Sequence, residues 1–269
     1  MLQFRRMVWD VALAAVLPVT LAAQQAPTPT HTYTVLCVKV KSGQDAAFAS
    51  LVSGDLHKLE QARVDSGALS GWLVLRTVIP AGRAATCDYS LVAFYTGWPK
   101  PGMNDAELKA AMQQAGIAMT QDEWDKELGE TGYLVSDGLD ETLDLVGEAH
   151  VGDYLVFNSM SVTDVRAWIS WEKRMWDPLA QSLVKSGKLS GWAMNIQMFP
   201  RGAEDPDLES TVDIFPNWEA FVQARESYEA AWKSVHQDAD MMTAMGQFGK
   251  VCTIEHSVLQ KVVDQINGK

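Results

Sequence analysis

Runs of apolar residues in the first half of the chain predict strands separated by amphipathic helices. Residues 33–41 (YTVLCVKVK) are β-branched and apolar on both faces, as in a strand that is covered from both sides. Residues 44–64 follow with apolar positions at helical spacing, interrupted at Ser53 and Gly54. The remaining predicted elements are strands at 72–79, 89–95 and near 133–135, and a helical stretch from about 105 to 128 that divides near Gly116.

The same pattern recurs in the second half of the chain. Its clearest marker is a heptapeptide, SGALSGW at 66–72 and SGKLSGW at 186–192, with the two copies 120 residues apart. At this offset and without a gap, residues 33–98 align with 153–218, and identities fall in the helix, the turn and both strands. The second half therefore has predicted strands at 154–160, 192–199, 209–215 and from about 251, and helices at 165–185 and 218–245. Each half has the order β-α-β-β-α-β, the ferredoxin-like arrangement, as in a duplicated unit.

Each heptapeptide is predicted to be the turn that reverses the chain from a helix into a strand. Its serines have no histidine nearby in the sequence and are typical of turn and cap positions rather than of a nucleophile. We expect the glycines, including Gly71 and Gly191, to supply the positive φ angles of this turn.

The first 23 residues have the pattern of a secretory signal peptide. Arg5 and Arg6 precede the uncharged run 11–23, which ends in small residues before a polar segment that contains proline. The run is shorter than the ~20 apolar residues that span a bilayer, and Pro18 interrupts it. We predict a signal peptide at 1–23, a linker at 24–32 and an exported mature protein, periplasmic or extracellular, with no membrane contact after cleavage. An uncleaved anchor is the alternative.

Charge and cysteine content limit the partners and the covalent framework. The net charge is −12, and removal of residues 1–23 takes away two arginines and one aspartate, giving −12 − 2 + 1 = −13. Such an acidic surface disfavours nucleic acid and anionic lipid. The mature chain keeps Cys37, Cys87 and Cys252, an odd number in distant segments that does not indicate a disulfide framework. They are predicted to be small buried hydrophobes, with one bridge and one free thiol as the alternative.

A longer pattern in the second half resembles a known superfamily. Residues 171–192 (WEKRMWDPLAQSLVKSGKLSGW) form a predicted helix that breaks at Asp177-Pro178 and leads through the heptapeptide into a strand. Together with the two strands and second helix that follow, this is similar to the dimeric α+β barrel superfamily, and within it to NIPSNAP-like members. The first half departs from the pattern, because His57-Lys58 stand at the position of the break.

The resemblance covers most of residues 33–262. It implies an α+β fold of two tandem ferredoxin-like units, at 33–146 and 147–269, whose antiparallel sheets face each other in an α+β barrel within one chain. It also implies a monomer with an internal pseudo-dimer, or a higher homo-oligomer. The superfamily includes monooxygenases without a cofactor, haem enzymes, degradation enzymes and proteins of unknown role, so the fold alone does not select a function.

Strand alternation predicts which side chains line the lumen of such a barrel. We expect an apolar wall from the first half and a polar wall from the second, and such a cavity would hold a small, partly apolar molecule with one polar end. Asp213 is also a candidate general base if burial raises its pKa. The alternative is that the polar groups are solvated or bond to one another. The predicted ligand-binding residues are Leu75, Tyr89 and Tyr95 on the apolar wall and Asn195, Gln197 and Asp213 on the polar wall.

The positions of the histidines are compatible only with a cofactor that needs a single axial ligand. The five histidines show no metal-ligand spacing, so no metal is predicted. A haem needs only one axial histidine, and the resemblance to two-unit haem enzymes makes His236 the candidate, although it also fits an exposed helical position. Three functions follow: binding of a small molecule without a cofactor, a cofactor-free monooxygenase or haem-dependent oxidoreductase, and a protein-interaction module.

Overall fold

The computed structural model describes residues 31–100, 103–201 and 209–268, and eight strands of this part close into one barrel. The predicted signal peptide and nearly all of the predicted linker lie outside the described residues. The strands are β1 (His31–Val40), β2 (Gly71–Ile79), β3 (Tyr89–Thr96), β4 (Gly132–Gly147), β5 (Tyr154–Val162), β6 (Gly191–Phe199), β7 (Glu209–Phe215) and β8 (Cys252–Asn267).

The helices connect the strands. The predicted interruption at Ser53 and Gly54 is a π-helical segment, Val52–Leu56, and the second half has one at Glu172–Trp176. Within the described part of the chain, no helix is long and apolar enough to cross a bilayer. The α-helices are α1 (Asp45–Leu51), α2 (His57–Asp65), α3 (Asp105–Gln114), α4 (Gln121–Thr131), α5 (Val165–Trp171), α6 (Asp177–Lys185), α7 (Trp218–Val222), α8 (Ala224–Val235) and α9 (Met241–Phe248).

The strand order around the barrel is β1-β3-β2-β8-β5-β7-β6-β4, with β4 pairing back to β1, and the pairs are antiparallel. Within each half the order is the ferredoxin-like one, β4-β1-β3-β2 and β8-β5-β7-β6. The β2–β8 and β4–β6 pairs form the two seams that join the halves. The predicted fold class, two ferredoxin-like units that form an α+β barrel within one chain, is confirmed.

The fourth strand of the first half is much longer than predicted. We expected a short strand near 133–135 followed by an acidic connection, but β4 runs for 16 residues through that acidic stretch. Its first part pairs with β1 as far as Thr142, and its last part pairs with β6 from Leu139 to Gly147. Acidic residues fit in this strand because it spans a seam and because its side chains point alternately into the lumen and to the outer face.

Two apolar cores lie between the sheet and the helices, and a third lies inside the barrel. The first outer core is centred on Phe48, Leu59 and Trp72, and the second on Trp168 and Trp192, each at most 3% exposed. Burial of each of these large side chains stabilises the fold by roughly 1.5–3 kcal/mol. The inner cluster consists of Tyr33, Leu73, Leu75, Val92, Leu155, Ile214 and Val262.

The heptapeptide turns form as predicted, but with different glycines at positive φ. Gly67 and Gly187 have φ of 76° and 69°, and the N–H of each bonds to the carbonyl of Val64 or Val184 at the end of the preceding helix. Gly71 and Gly191 have no positive φ, so that part of the prediction was wrong. They are glycines because a neighbouring strand passes close to them: a Cβ on Gly191 would lie 2.8 Å from the carbonyl oxygen of Val146.

The cysteine prediction was also wrong, and its alternative is correct. Cys37 and Cys87 form a disulfide across 50 residues, and Cys252 is a buried free thiol. The bridge forms because β1 pairs with β3, with Val38 opposite Tyr89. This pairing brings the Cα atoms of the two cysteines to 5.2 Å from each other. Sequence separation concealed a contact that strand pairing creates.

Candidate functional site

The barrel encloses a cavity of about 1160 Å³, somewhat larger than the usual range for small-molecule sites. Residues from all eight strands line it. Most of the wall is apolar, so the interior favours an apolar occupant. The apolar lining residues include Tyr33, Val35, Leu73, Leu75, Val92, Phe94, Leu155, Val212 and Ile214.

Four of the six predicted ligand-binding residues line this cavity. Leu75, Asn195 and Gln197 belong to the lining as expected, and Asn195 is only 2% exposed. Tyr95 also belongs to it, although its side chain packs against the first outer core as well. Their role in binding a ligand stays a prediction.

Tyr89 and Asp213 do not line the cavity, so the predicted face of β3 and β7 was wrong. The lumen side of these strands carries Val92, Phe94 and Val212 instead, one residue out of phase. A shift by one residue moves every side chain to the other face. The phase was ambiguous because β3 (YSLVAFY) is apolar on both faces.

Polar lumen groups gather where β1, β4, β6 and β7 meet. We call Tyr33, Asp140, Thr142, Asn195 and Ser210 the lumen polar cluster. Asp140 of β4 lies opposite Tyr33 of β1 in register. Ser210 of β7 lies near the Tyr33 hydroxyl and partly offsets the rise in its pKa, and the Thr142 hydroxyl donates to Asn195 Oδ1 at 3.1 Å. The cluster therefore places several polar groups together at one seam of a mostly apolar cavity.

Burial makes Asp140 a weak acid. Loss of solvent raises the pKa of this carboxyl from 3.8 to about 7, so near neutral pH it exists in both protonation states. Burial, together with the charge of Asp140, raises the pKa of Tyr33 well above its usual range, and this hydroxyl stays protonated. Asp140 can therefore accept a proton or pair with a cation, while Tyr33 can donate a hydrogen bond.

A second polar contact lies at the other seam. Gln260 of β8 is 6% exposed, and its amide donates to Ser90 Oγ at 2.9 Å and more weakly to Thr77 Oγ1 at 3.4 Å. These groups satisfy one another across β8, β3 and β2, so this contact serves to hold the seam.

Sequence reasoning missed Tyr33, Asp140 and Thr142. The signal for the β4 residues was present, because the offset of 120 residues maps the strand predicted from about 251 onto a continuous strand from about 131. The acidic character of 136–144 suggested a connection instead.

The histidine predicted as the axial ligand of a haem does not reach this cavity. His236, the predicted axial ligand, lies outside the barrel at the end of α8, where Nε2 is 2.8 Å from the carbonyl oxygen of Met175 and the ring packs on Trp232. His31 and His256 do line the cavity, but the lining that the structure describes contains no Lys or Arg to pair with two propionates. Over the described residues, no group of three His, Cys, Asp or Glu side chains could hold a metal ion.

A further acidic set lies outside the lumen, under the helices of the second half. We call Glu172, Glu209 and Asp213 the outer acidic cluster; each is at most 7% exposed. Burial, and then the charge of Asp213, raise the pKa of Glu172 to about 8. Burial raises the pKa of Asp213 to about 6, and Trp176 and Tyr228 offset part of that rise. The raised pKa expected for Asp213 is present, but without access to the lumen it does not serve as a base there.

No family model and no curated protein matches the chain. Among solved structures, a candidate monooxygenase from Fusobacterium nucleatum superposes with a TM-score of 0.52 at 9% identity, over 89% of this chain and 95% of that chain. A candidate monooxygenase from Lactobacillus acidophilus NCFM gives 0.48 at 10% identity, over 89% and 96%. A candidate chlorite dismutase gives 0.46 at 12% identity, over 87% and 95%.

At 9% identity, the similarity to the Fusobacterium nucleatum protein shows the fold and carries no activity with it. This fold is an α+β barrel, built here from two ferredoxin-like units of a single chain.

Proposed function

We propose that the protein binds a small, largely apolar molecule in the barrel lumen, with the polar end of that molecule at the lumen polar cluster. The observation that carries this proposal is a cavity of about 1160 Å³ with a mostly apolar wall and a polar cluster at the β4–β6 seam. An open lumen does not favour the alternative of a protein-interaction module, which needs no internal cavity.

A displacement experiment tests the binding. The neutral fluorophore N-phenylnaphthylamine should bind the purified mature protein, and native mass spectrometry of protein from its host should show a retained small molecule. Val92→Trp fills the lumen and should weaken fluorophore binding at least about tenfold. Ile254→Trp, at a β8 position that is 46% exposed and outside the lining, is the matched control. Absence of both fluorophore binding and a retained molecule would refute the proposal.

We further propose that the protein is exported. The support is the order of basic, apolar and small residues in 1–23, together with the Cys37–Cys87 disulfide, which is a bond that persists in oxidising compartments. N-terminal sequencing of the protein recovered outside the cytoplasm should begin near residue 24. An intact Met1 on that protein would contradict signal cleavage.

We also infer that the two halves arose by tandem duplication, with NIPSNAP-like proteins as the nearest pattern. Besides the heptapeptides, the π-helical segments at Val52–Leu56 and Glu172–Trp176 and the strands Gly132–Gly147 and Cys252–Asn267 repeat at the offset of 120 residues. Such agreement in element bounds supports a common origin.

A cofactor-free monooxygenase is the second candidate, and Asp140 is the observation that favours it. A carboxyl with a pKa of about 7 in an apolar cavity is a suitable base for a substrate with an acidic C–H group. The resulting carbanion would be the electron donor to dioxygen. If the protein consumes dioxygen in the presence of the retained molecule, and Asp140→Asn abolishes this consumption, the protein is an enzyme rather than a binding protein.

A further inference from the structure

The charged side chains that line the lumen are mainly acidic. Asp137, Glu148 and Glu255 line it at exposed positions, and Asp140 lines it at a half-buried position. Among the lining residues that the structure describes there is no Lys or Arg. Because apolar walls focus the field of such charges into the cavity, the lumen attracts cations and repels anions.

Among the described residues that face it, Asp140 has no cationic partner. Tyr33 faces it from β1 and Gln197 from β6, both in register, and neither carries a positive charge. Arg201 lies near that end of β6, 3.5 Å from the carbonyl oxygen of Gln197, but it is exposed and outside the lining. The cause of the raised pKa of Asp140 is burial, with no cation to counter it.

Several other carboxylates of the chain do have a partner. Asp88 pairs with Lys39 at 3.0 Å, and Glu60 pairs with Arg63 at 2.7 Å. An unpaired carboxyl that faces a cavity is costly to the fold, and a cationic ligand that pairs with it would offset that cost.

We propose that the molecule bound in the lumen is a cationic amphiphile, an alkyl or aryl amine whose ammonium group sits against Asp140 of the lumen polar cluster. This inference rests on the proposed binding function. An ammonium group has three donors and no acceptor, which suits the carboxylate of Asp140 and the hydroxyl oxygen of Tyr33. The rings of Tyr33 and Phe94, with centroids 5.8 Å apart, offer faces for a cation. The apolar body would pack on Leu73, Leu75 and Val92.

An anionic or neutral amphiphile fits this lumen less well. A carboxylate head group would meet Asp140 with like charge and find no Lys or Arg in the described lining. An alcohol would leave the ionised form of Asp140 without compensation for its burial.

Three ligands of equal chain length separate these cases. Decylamine, decanol and decanoate compete with N-phenylnaphthylamine on the full mature protein at pH 8, below their micellar concentrations. We expect decylamine to bind at least about tenfold more tightly than decanol, and decanoate to bind most weakly. Asp140→Asn should lower the affinity for decylamine about tenfold and leave that for decanol unchanged.

Asp144→Asn is the matched control on the same strand. Its carboxylate lies outside the lining, 3.9 Å from Lys173 Nζ, so this variant should bind all three ligands as the wild type does. Wild-type protein gives a second measurement in case Asp140→Asn does not fold. The preference for decylamine over decanol should fall as the pH drops through about 7, where Asp140 takes up its proton. His31 and His256 also line the cavity, and the pH dependence that remains in Asp140→Asn measures any part that does not come from Asp140.

The outcomes distinguish this inference from the proposed function. Equal affinity for decanol and decylamine, or tighter binding of decanoate, would overturn the cationic preference while the lumen remained a site for apolar molecules. An equal loss for all three ligands in Asp140→Asn would also overturn it. If neither the fluorophore nor any of the three ligands binds, the proposed function itself fails.

Discussion

At the scale of single residues, the glycines that begin β2 and β6 are required because a neighbouring backbone passes close to them, not because a turn needs a positive φ. A Cβ added to Gly191 would lie 2.8 Å from Val146 O and 3.0 Å from Glu148 N, so the β4–β6 seam would have to separate. At Gly71 in the other seam, the nearest atom would be Ile266 O at 3.3 Å, which a small shift accommodates. The two seams therefore differ in how tightly they are packed.

We expect Gly191→Ala to destabilise the protein by about 1–3 kcal/mol, and Gly71→Ala by less than about 1 kcal/mol. The control is Gly54→Ala, where an added Cβ meets nothing within 4 Å and should stabilise the helix by roughly 0.5–1 kcal/mol. Urea unfolding measures all three. Equal effects at Gly71 and Gly191 would show that the seams are packed alike.

Sequence patterns identified some lumen residues and missed others for a physical reason. Asn195 and Gln197 were found because β6 alternates between polar and apolar positions, which fixes its phase. Tyr89 was misplaced because β3 has no such alternation. Asp213 was misplaced because the same lumen-facing phase was assigned to β7, the strand that aligns with β3 in the repeat. Only the register of neighbouring strands places Tyr33 opposite Asp140.

At the scale of elements, the second π-helical segment carries a buried carboxyl group at a position where the first has an apolar side chain. Glu172 is 2% exposed, whereas Val52 occupies the position 120 residues earlier. The Oε2 atom of Glu172 has no hydrogen-bond partner within the described part of the chain. The second half therefore holds a carboxyl that is stable only in its protonated form.

Stability should fall between about pH 4.5 and about pH 8 because of Glu172. Its pKa in the folded state, about 8, exceeds the ordinary value of 4.5, so the folded state binds the proton more tightly. This contribution is fully present below about pH 4.5 and is lost as the pH rises through about 8, by on the order of a few kcal/mol.

Thermal melts between pH 6 and pH 9 should therefore show a shallower decline in Tm for Glu172→Gln than for the wild type. Glu60→Gln is the comparison, since Glu60 is equally buried but bonded to Arg63 at 2.7 Å, and its replacement should lower Tm. A wild-type decline that Glu172→Gln leaves unchanged would point to another group.

Element bounds were largely predictable because each helix buries one face and most strands follow a turn signal. The exception, β4, contains residues that are depleted in strands, among them Asp137, Asp140 and Asp144. Its strand character comes from pairing with β1 and β6 on either side, a tertiary effect that a local pattern does not contain.

At the scale of the whole molecule, the Cys37–Cys87 disulfide ties β1 to the loop before β3 across 50 residues. Cys37→Ser or Cys87→Ser should destabilise the protein by about 2–4 kcal/mol, because the unfolded chain regains the freedom of that loop. Unfolded but unreduced protein should react with one equivalent of a thiol reagent, through Cys252, and reduced protein with three. Three reactive thiols before reduction would contradict the bridge.

Because β8 is the last barrel strand in the sequence, the lumen can close only after β8 has been synthesised. β8 follows every other barrel strand in the sequence, yet it sits between β2 and β5 and closes the gap between the halves. Until β8 has been synthesised, β2 and β5 are open edges and no enclosed space exists to hold a molecule. If the protein crosses a membrane unfolded, as we propose, it acquires its occupant on the far side, and the lumen samples the molecules of that compartment.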